Sequence, residues 1–440
     1  MKFNGTIAFV GVTVYAINAH GLPLSGKRVI VIGAGVSGLS AAQALQQNGA
    51  NVTVLEGRDR IGGRVWTGTV GQGPIDLGAH WVHGINNSPV VAEANKQNIT
   101  MKVTDYENSW AYDANGAIPK AVFDRGDSQF QHFEEIVEIK QNGTRDQSLG
   151  SLYREFPNQN LLLRHMMDTR IEHEYGGDLD KLSTLYYDYA ENIDGVDVVF
   201  PKGYSFFPKS LAKGLDIHLN ERVIGVQYAN APTVQTISKA YDCDAVVVTV
   251  PLGVLKHGDI KFQPSLPKRK LSAIDRFGMG LLDKTVLRFE KQFWPQEPEL
   301  FTYKRPDLLW GEWLNIAHYT GEPILIGFNA ASIAANLEEK SDAFIKASAL
   351  EVLKNMFGKP TPLVAMYQTR WNKDPFSLGS YSFFKIGSTP DDMKAIGESV
   401  NERVFFAGEA TSLDAQATVL GAYKTGQNVA KQVAALFGQK

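Results

Sequence analysis

The sequence predicts an α/β fold in which a helix-covered parallel sheet is interrupted by a second domain of helices and largely antiparallel strands. Three observations predict it. An apolar strand, Val29 to Ile32, passes through the turn Gly33-Ala-Gly35-Val-Ser37-Gly38 into a helix from Ser37 to Gln47, and a second strand runs from Val52 to Leu55. A much later run, Ala245 to Val250, is continuously apolar, as expected for a strand covered on both faces. Between and after these segments the texture changes to helical spacing and then to alternation.

Taken in order, the first strand, helix and second strand make a βαβ unit, whose crossover is right-handed almost without exception. The helix stops at Gly49, and Pro251-Leu-Gly stops the later strand. Phe130 to Ile139 and Asn160 to His173 read as helices, the latter with Leu161, Leu162, Met166 and Met167 at helical spacing. Thr285-Val-Leu-Arg-Phe and Leu325-Ile-Gly-Phe read as strands of the inserted domain, and Ala422 to Leu436 as a closing helix. A chain of 440 residues, 44% hydrophobic, is long enough for two or three domains.

Composition excludes several classes. With 44 Lys+Arg against 47 Asp+Glu, nothing points to a nucleic-acid surface. The single cysteine, Cys243, rules out an internal disulfide and a cysteine metal cluster, and reads as a small apolar residue beside a strand. At the N-terminus Lys2 precedes an apolar run from Thr6 to Ile17 and the small-residue pattern Ile17-Asn18-Ala19, so residues 1–20 read as a signal peptide. That run is too short to span a bilayer, which takes about 20 apolar residues. The sequons Asn98-Ile-Thr and Asn142-Gly-Thr agree with an extracellular or vacuolar protein, which is the expected location.

The glycine turn carries the first chemistry. Gly33, Gly35 and Gly38 allow a tight turn, close approach to a pyrophosphate and close helix–strand packing, while the helix start, with Ser37 in it, offers N–H groups and partial positive charge. Glu56 closes the second strand, about 20 residues past the glycines, where a carboxylate meets an adenosine ribose. Such an acid argues against a 2′-phosphate without separating NAD from FAD. Arg58 and Ile61-Gly62-Gly63-Arg64-Val-Trp66 favour FAD: Gly62 and Gly63 let the backbone approach diphosphate and flavin, and Arg64 is placed to pair with phosphate or with the flavin edge. Val223 is added to the expected cofactor contacts.

From Lys27 to the C-terminus the chain resembles the flavin amine oxidase family, which includes monoamine, polyamine and L-amino acid oxidases and lysine-specific histone demethylases. The likeness rests on Leu77-Gly-Ala-His80-Trp81-Val-His83-Gly84, Val248-Thr-Val-Pro-Leu-Gly253, Gly278-Met-Gly-Leu-Leu-Asp-Lys284 and Phe293-Trp294-Pro295. It continues through Trp371-Asn-Lys-Asp-Pro375, Gly379-Ser-Tyr381-Ser and Phe405-Phe-Ala-Gly408-Glu409-Ala-Thr. The resemblance implies a split FAD-binding, Rossmann-like domain of the glutathione-reductase type over 24–92, 201–256 and 397–440. The α+β substrate domain would then occupy 93–200 and 257–396.

It also implies roles. Lys284 matches the lysine that holds a water near flavin N5, and Trp371 a tryptophan packed at the flavin that helps hold that water. Tyr381 matches an aromatic residue beside the flavin that packs on the substrate amine, and His83 a histidine near the substrate in animal-type acetylpolyamine and spermine oxidases. Glu409 matches the acid that holds the ribityl or diphosphate region, Thr418 and Val419 open the last helix toward flavin N1–C2=O, and His80 and Trp81 belong with the cofactor contacts. His80 and His83 could suggest a metal, but no third ligand group accompanies them, so no metal is expected.

The departures are specific. Leu420 stands where the family commonly has histidine. Thr418 stands where monoamine oxidases have a second tyrosine, and Ser380 where those enzymes carry the flavin-anchoring cysteine, which implies non-covalent FAD. The implied function is an FAD-dependent amine oxidase, foremost a polyamine oxidase acting on a spermine- or spermidine-like amine. It would pass hydride to flavin N5, hydrolyse the imine and reduce O2 to H2O2, with no nucleic-acid or membrane partner. An L-amino acid oxidase, a monoamine oxidase and a catalytically silent FAD-binding protein remain as alternatives.

Overall fold

A computed structural model describes residues 23–157, 159–190 and 193–438. The signal-peptide reading therefore lies outside the described residues. Five parallel strands form the nucleotide-side sheet in the order Asp216–His218, Asn51–Leu55, Arg28–Ile32, Ala245–Val248, Val404–Phe406. The register sets Val29 opposite both Val52 and Ala245, so the glycine turn leaves the centre of the sheet. The late apolar run ends as a strand at Val248, because Val250 and Pro251 turn away to line a cavity.

Two helices cover one face of this sheet. Val36–Gln47 packs under the final helix Val419–Gly438, which begins three residues before its apolar pattern does. The contact is close enough that a Cβ on Gly426 would lie 2.3 Å from the Ser37 carbonyl oxygen. Val29, Val31, Leu39, Leu45, Val247, Val429 and Val433 share the core between them.

The inserted layer is a seven-stranded sheet in the order Leu363–Gln368, Leu282–Phe289, Ile324–Ala330, Glu312–Asn315, Leu300–Tyr303, Ser109–Asp113, Gly116–Ala117. Its pairings are antiparallel except that Leu300–Tyr303 runs parallel to Ser109–Asp113. Both faces of the central strands are buried. Leu287 and Leu325 enter a core under the helix Asp342–Phe357, whereas Val286, Ile326 and Phe328 enter another with Val70 and Ile75.

A helical subdomain supplies the remaining wall. The helix read at Phe130 to Ile139 extends over Lys120–Gln141. The segment Asn160 to His173 is an α-helix only over Leu161–Met167, where the Asn160 side chain accepts the Leu163 N–H, and it widens to a π turn at Asp168–Glu172 before His173–Tyr175. His173 and Glu174, which follow this turn, line the cavity. Among the described residues no helix is long and apolar enough to cross a membrane.

Candidate active site

One cavity of about 630 Å³ runs from the glycine turn, between the two sheets, to the helical subdomain. Every residue predicted for the site lines it except Gly38. A Cβ at Gly38 would fall 1.9 Å from the Gly33 carbonyl oxygen, so this glycine serves helix–strand packing and not contact with a ligand.

At the nucleotide end the residues fit a dinucleotide. Gly33 has φ +104, and a Cβ on Gly35 would meet no protein atom within 4 Å, leaving the mouth of the helix open. Gly63 also has positive φ, and its Cβ would lie 3.3 Å from the Gly35 Cα, so the two glycine turns face each other. The Ser37 hydroxyl is buried and has no protein partner. Glu56 accepts the Ala34 and Arg58 N–H groups at 2.7 and 2.9 Å, which fixes its carboxylate beside the turn. Val223 lines the same end.

The two arginines are already engaged. Arg58 pairs with Asp374 at 2.5 Å, and Arg64 pairs with Glu409 at 2.8 Å while donating to the Ser380 carbonyl at 2.9 Å. Glu409 also accepts the Ser382 hydroxyl at 2.7 Å and the Ala417 N–H at 3.2 Å. The Arg64–Glu409 pair thus ties the Gly63 turn to the loop before the last helix. There the Thr418 hydroxyl accepts the Gly421 N–H at 3.0 Å, and Thr418 and Val419 bring the helix start to the cavity.

In the middle stands Lys284, 4% exposed, carried by a central strand. Its Nζ donates to the Asp76 and Gly78 carbonyls at 2.9 and 2.6 Å, which take two of the three donor positions of an ammonium. Burial lowers its pKa to about 8, against the attraction of Asp76. Asp76 is itself pushed up to about 6 by burial. His80, 3.9 Å from the Asp76 carboxylate, is held well below the usual imidazole range by burial and by Lys284, so it stands neutral. Trp371 packs at this level with Leu281 and Ala334, edge-on to Trp66 at 6.2 Å. Trp81 lies beside His80, with ring centroids 5.0 Å apart.

Beyond Lys284 the wall becomes aromatic and then acidic. The Tyr381 hydroxyl donates to the His173 carbonyl at 2.5 Å, and burial with Glu174 and Glu312 nearby keeps the phenol neutral. His83 Nδ1 lies 2.8 Å from Asp197, which also accepts from the Tyr106 hydroxyl at 2.8 Å and the Gly84 N–H at 2.9 Å. Burial alone would lower the His83 pKa; the Asp197 hydrogen bond and the charges of Glu174 and Asp197 outweigh it and raise it. His173 sits between Glu312 at 3.3 Å and Asp168 at 3.6 Å. Burial pushes Asp168 up to about 7.

Asp197, Glu174, Glu312 and Asp188 all line this end. Sequence reading singled out none of them, since they come from separate loops and strands and belong to no spaced motif. The π turn preceding Glu174 is a signal that only the structure displays.

The family profile described as "Flavin containing amine oxidoreductase" matches residues 36–434. Among curated proteins, the chain is 34% identical over 428 residues to Polyamine oxidase 4 of Oryza sativa subsp. japonica, covering 91% of this chain and 87% of that one. It is 34% identical over 424 residues to Polyamine oxidase 2 of Arabidopsis thaliana, covering 90% and 86%. It is also 34% identical over 467 residues to Lysine-specific histone demethylase 1 homolog 2 of Arabidopsis thaliana, covering 98% of this chain and 62% of that one. Among solved structures, a cofactor-binding redesign of putrescine oxidase superposes with a TM-score of 0.78 at 20% identity, covering 94% of this chain and 99% of that chain. Cyclohexylamine oxidase from Brevibacterium oxydans also superposes with a TM-score of 0.78 at 20% identity, covering 93% and 99%, and shares the fold.

Proposed function

Since the chain belongs to the flavin-containing amine oxidoreductase family and is an FAD-dependent amine oxidase, we propose that its substrate is a polyamine, oxidised at a carbon–nitrogen bond, with FAD held non-covalently. The observation that carries the reading is the acidic end of the cavity. Asp197, Glu174, Glu312 and Asp188 surround the space beyond Lys284 and Tyr381. Carboxylates spread along a low-dielectric channel attract a chain of ammonium groups and hold it by several points at once. The names of the rice and Arabidopsis relatives agree with this substrate class.

The same geometry disfavours an amino acid. A substrate carboxylate calls for an uncommitted guanidinium. The cavity arginines Arg58, Arg64 and Arg222 are each paired with a carboxylate, Arg222 with Asp259 at 2.8 Å. The thiol inventory supports non-covalent attachment. Cys243 is buried away from the cavity in the core under the parallel sheet, and the Ser380 hydroxyl donates to the Leu282 carbonyl at 2.9 Å.

Bound FAD supplies the hydride acceptor and the route by which electrons reach O2. The protein's part is to orient and to hold protons. Tyr381, Trp371 and Phe328 line an apolar stretch where a neutral amine can persist. His83, with Nδ1 turned to Asp197, presents Nε2 as the position that takes the substrate's proton. Lys284, anchored by two carbonyls, keeps a donor at the level of Trp371.

A peroxide-coupled screen tests the reading. Spermine, spermidine or their acetylated forms should be turned over in preference to benzylamine and to L-amino acids. Oxidation of amino acids alone would overturn the substrate assignment, and absence of flavin reduction by every amine under anaerobic conditions would favour a silent FAD carrier.

A further inference from the structure

Asp283 precedes Lys284 on the strand Leu282–Phe289, so its side chain leaves the opposite face, away from the cavity. It meets Glu338, the last residue of the helix Ala331–Glu338, and the two are 1% and 2% exposed. Asp283 Oδ1 accepts the Thr369 hydroxyl at 2.7 Å and the Trp371 N–H at 3.2 Å. The Thr369 oxygen in turn accepts the Lys284 N–H at 2.8 Å. Glu338 Oε1 accepts the next amide, that of Asn372, at 2.9 Å.

The remaining oxygens, Asp283 Oδ2 and Glu338 Oε2, are buried without any N–H or O–H donor. The two carboxyl groups hold consecutive amides, those of Trp371 and Asn372, which brings these two orphaned oxygens into one buried neighbourhood. An ionised carboxylate only accepts, so a hydrogen bond between two carboxyl groups requires a proton on one of them.

We propose that Asp283 and Glu338 share one proton as an acid–carboxylate pair, and that this pair positions both Lys284 and Trp371 by clamping the segment 369–372 to the helix Ala331–Glu338. Burial, and then Glu338, hold the Asp283 carboxyl well above its ordinary range. The neighbouring cations are spent elsewhere. Lys373 Nζ donates to the Glu338 carbonyl at 2.9 Å and pairs with Glu339 at 3.0 Å, while Arg370 pairs with Asp342 at 2.6 Å. The positioning role rests on the reading of Lys284 and Trp371 as flavin-side residues.

Isosteric amides separate a shared proton from simple space filling. In Asp283→Asn the amide oxygen keeps the Thr369 and Trp371 hydrogen bonds while the NH2 donates to Glu338, replacing the shared proton. Glu338→Gln does the same from the other side. In the double variant both outer oxygens stay committed and two NH2 groups face each other with no acceptor. Each single variant should keep its FAD content, its melting temperature and the rate of anaerobic flavin reduction within about threefold of the parent. The double variant should lose about tenfold or more in that rate beyond the product of the singles, and should melt lower than either.

Infrared difference spectra of parent minus each single variant should show loss of a protonated carboxyl stretch. A double variant as stable and active as the singles, or singles as damaged as the double, would overturn the pair; failure of the double alone to fold is the coupling in its strongest form. Lys284→Met is run in parallel. If it leaves both half-reactions unchanged, the flavin-side reading of Lys284 fails, and the carboxyl pair is then judged on melting and infrared data alone.

Discussion

Gly35 and Gly38 sit three residues apart in one turn and predict opposite failures. Gly35 has ordinary extended backbone, and an added methyl meets no protein atom within 4 Å. Gly35→Ala should therefore fold as the parent does and bind FAD about tenfold or more weakly, a loss of about 1.4 kcal/mol or more, read by flavin titration of the apoprotein. Gly38→Ala should destabilise the apoprotein itself by about 1–3 kcal/mol in denaturant unfolding, because its methyl collides with the Gly33 carbonyl. Lys270 makes a prediction about pH. It is 2% exposed, its Nζ donates to the Ala395 and Ile396 carbonyls at 2.7 and 2.6 Å, and burial lowers its pKa to about 7. Between about pH 7 and its ordinary value of 10.5 the unfolded chain binds more protons at this site, so stability rises with pH across that window. Melting temperatures of the parent and of Lys270→Met, compared from pH 7 to 10, should show the increment in the parent only.

Elements differ in how much of them the sequence discloses. The strand–turn–helix from Arg28 to Gln47 was legible to within a residue, since glycine, apolar and polar positions there obey one local geometry. The segment after Asn160 was not, because a π turn at Asp168–Glu172 leaves no periodic mark that distinguishes it from α-helix. Lys284, Trp371 and Tyr381 could be placed together through a resemblance of whole motifs. Asp197, Glu174, Glu312 and Glu338 could not, because burial and partnership made by distant loops decide their state. Helix packing carries its own prediction. Gly426 lets the final helix approach the Ser37 carbonyl, so Gly426→Ala should push that helix outward, cost about 1–3 kcal/mol of stability and weaken FAD binding together. A variant that lost stability and kept full FAD affinity would show that the two helices do not share that task.

At the scale of the whole molecule, cofactor and protein should stabilise each other. A ligand that binds only the folded chain adds about 2.7 kcal/mol at a hundred times its dissociation constant, so melting temperature should climb with added FAD. If FAD is held non-covalently, as proposed from Ser380 and the remote Cys243, heat or acid should then leave a colourless pellet and yellow supernatant; flavin retained on the denatured chain would disprove that attachment. The sheet that holds FAD takes strands from residues 28–55, 216–248 and 404–406, and the helix Val419–Gly438 closes over the glycine turn. During synthesis on a ribosome, the turn emerges well before the strand Val404–Phe406 and the helix Val419–Gly438 that complete its surroundings. Loading with cofactor should thus wait for that helix, and a product cut short before it should carry no flavin.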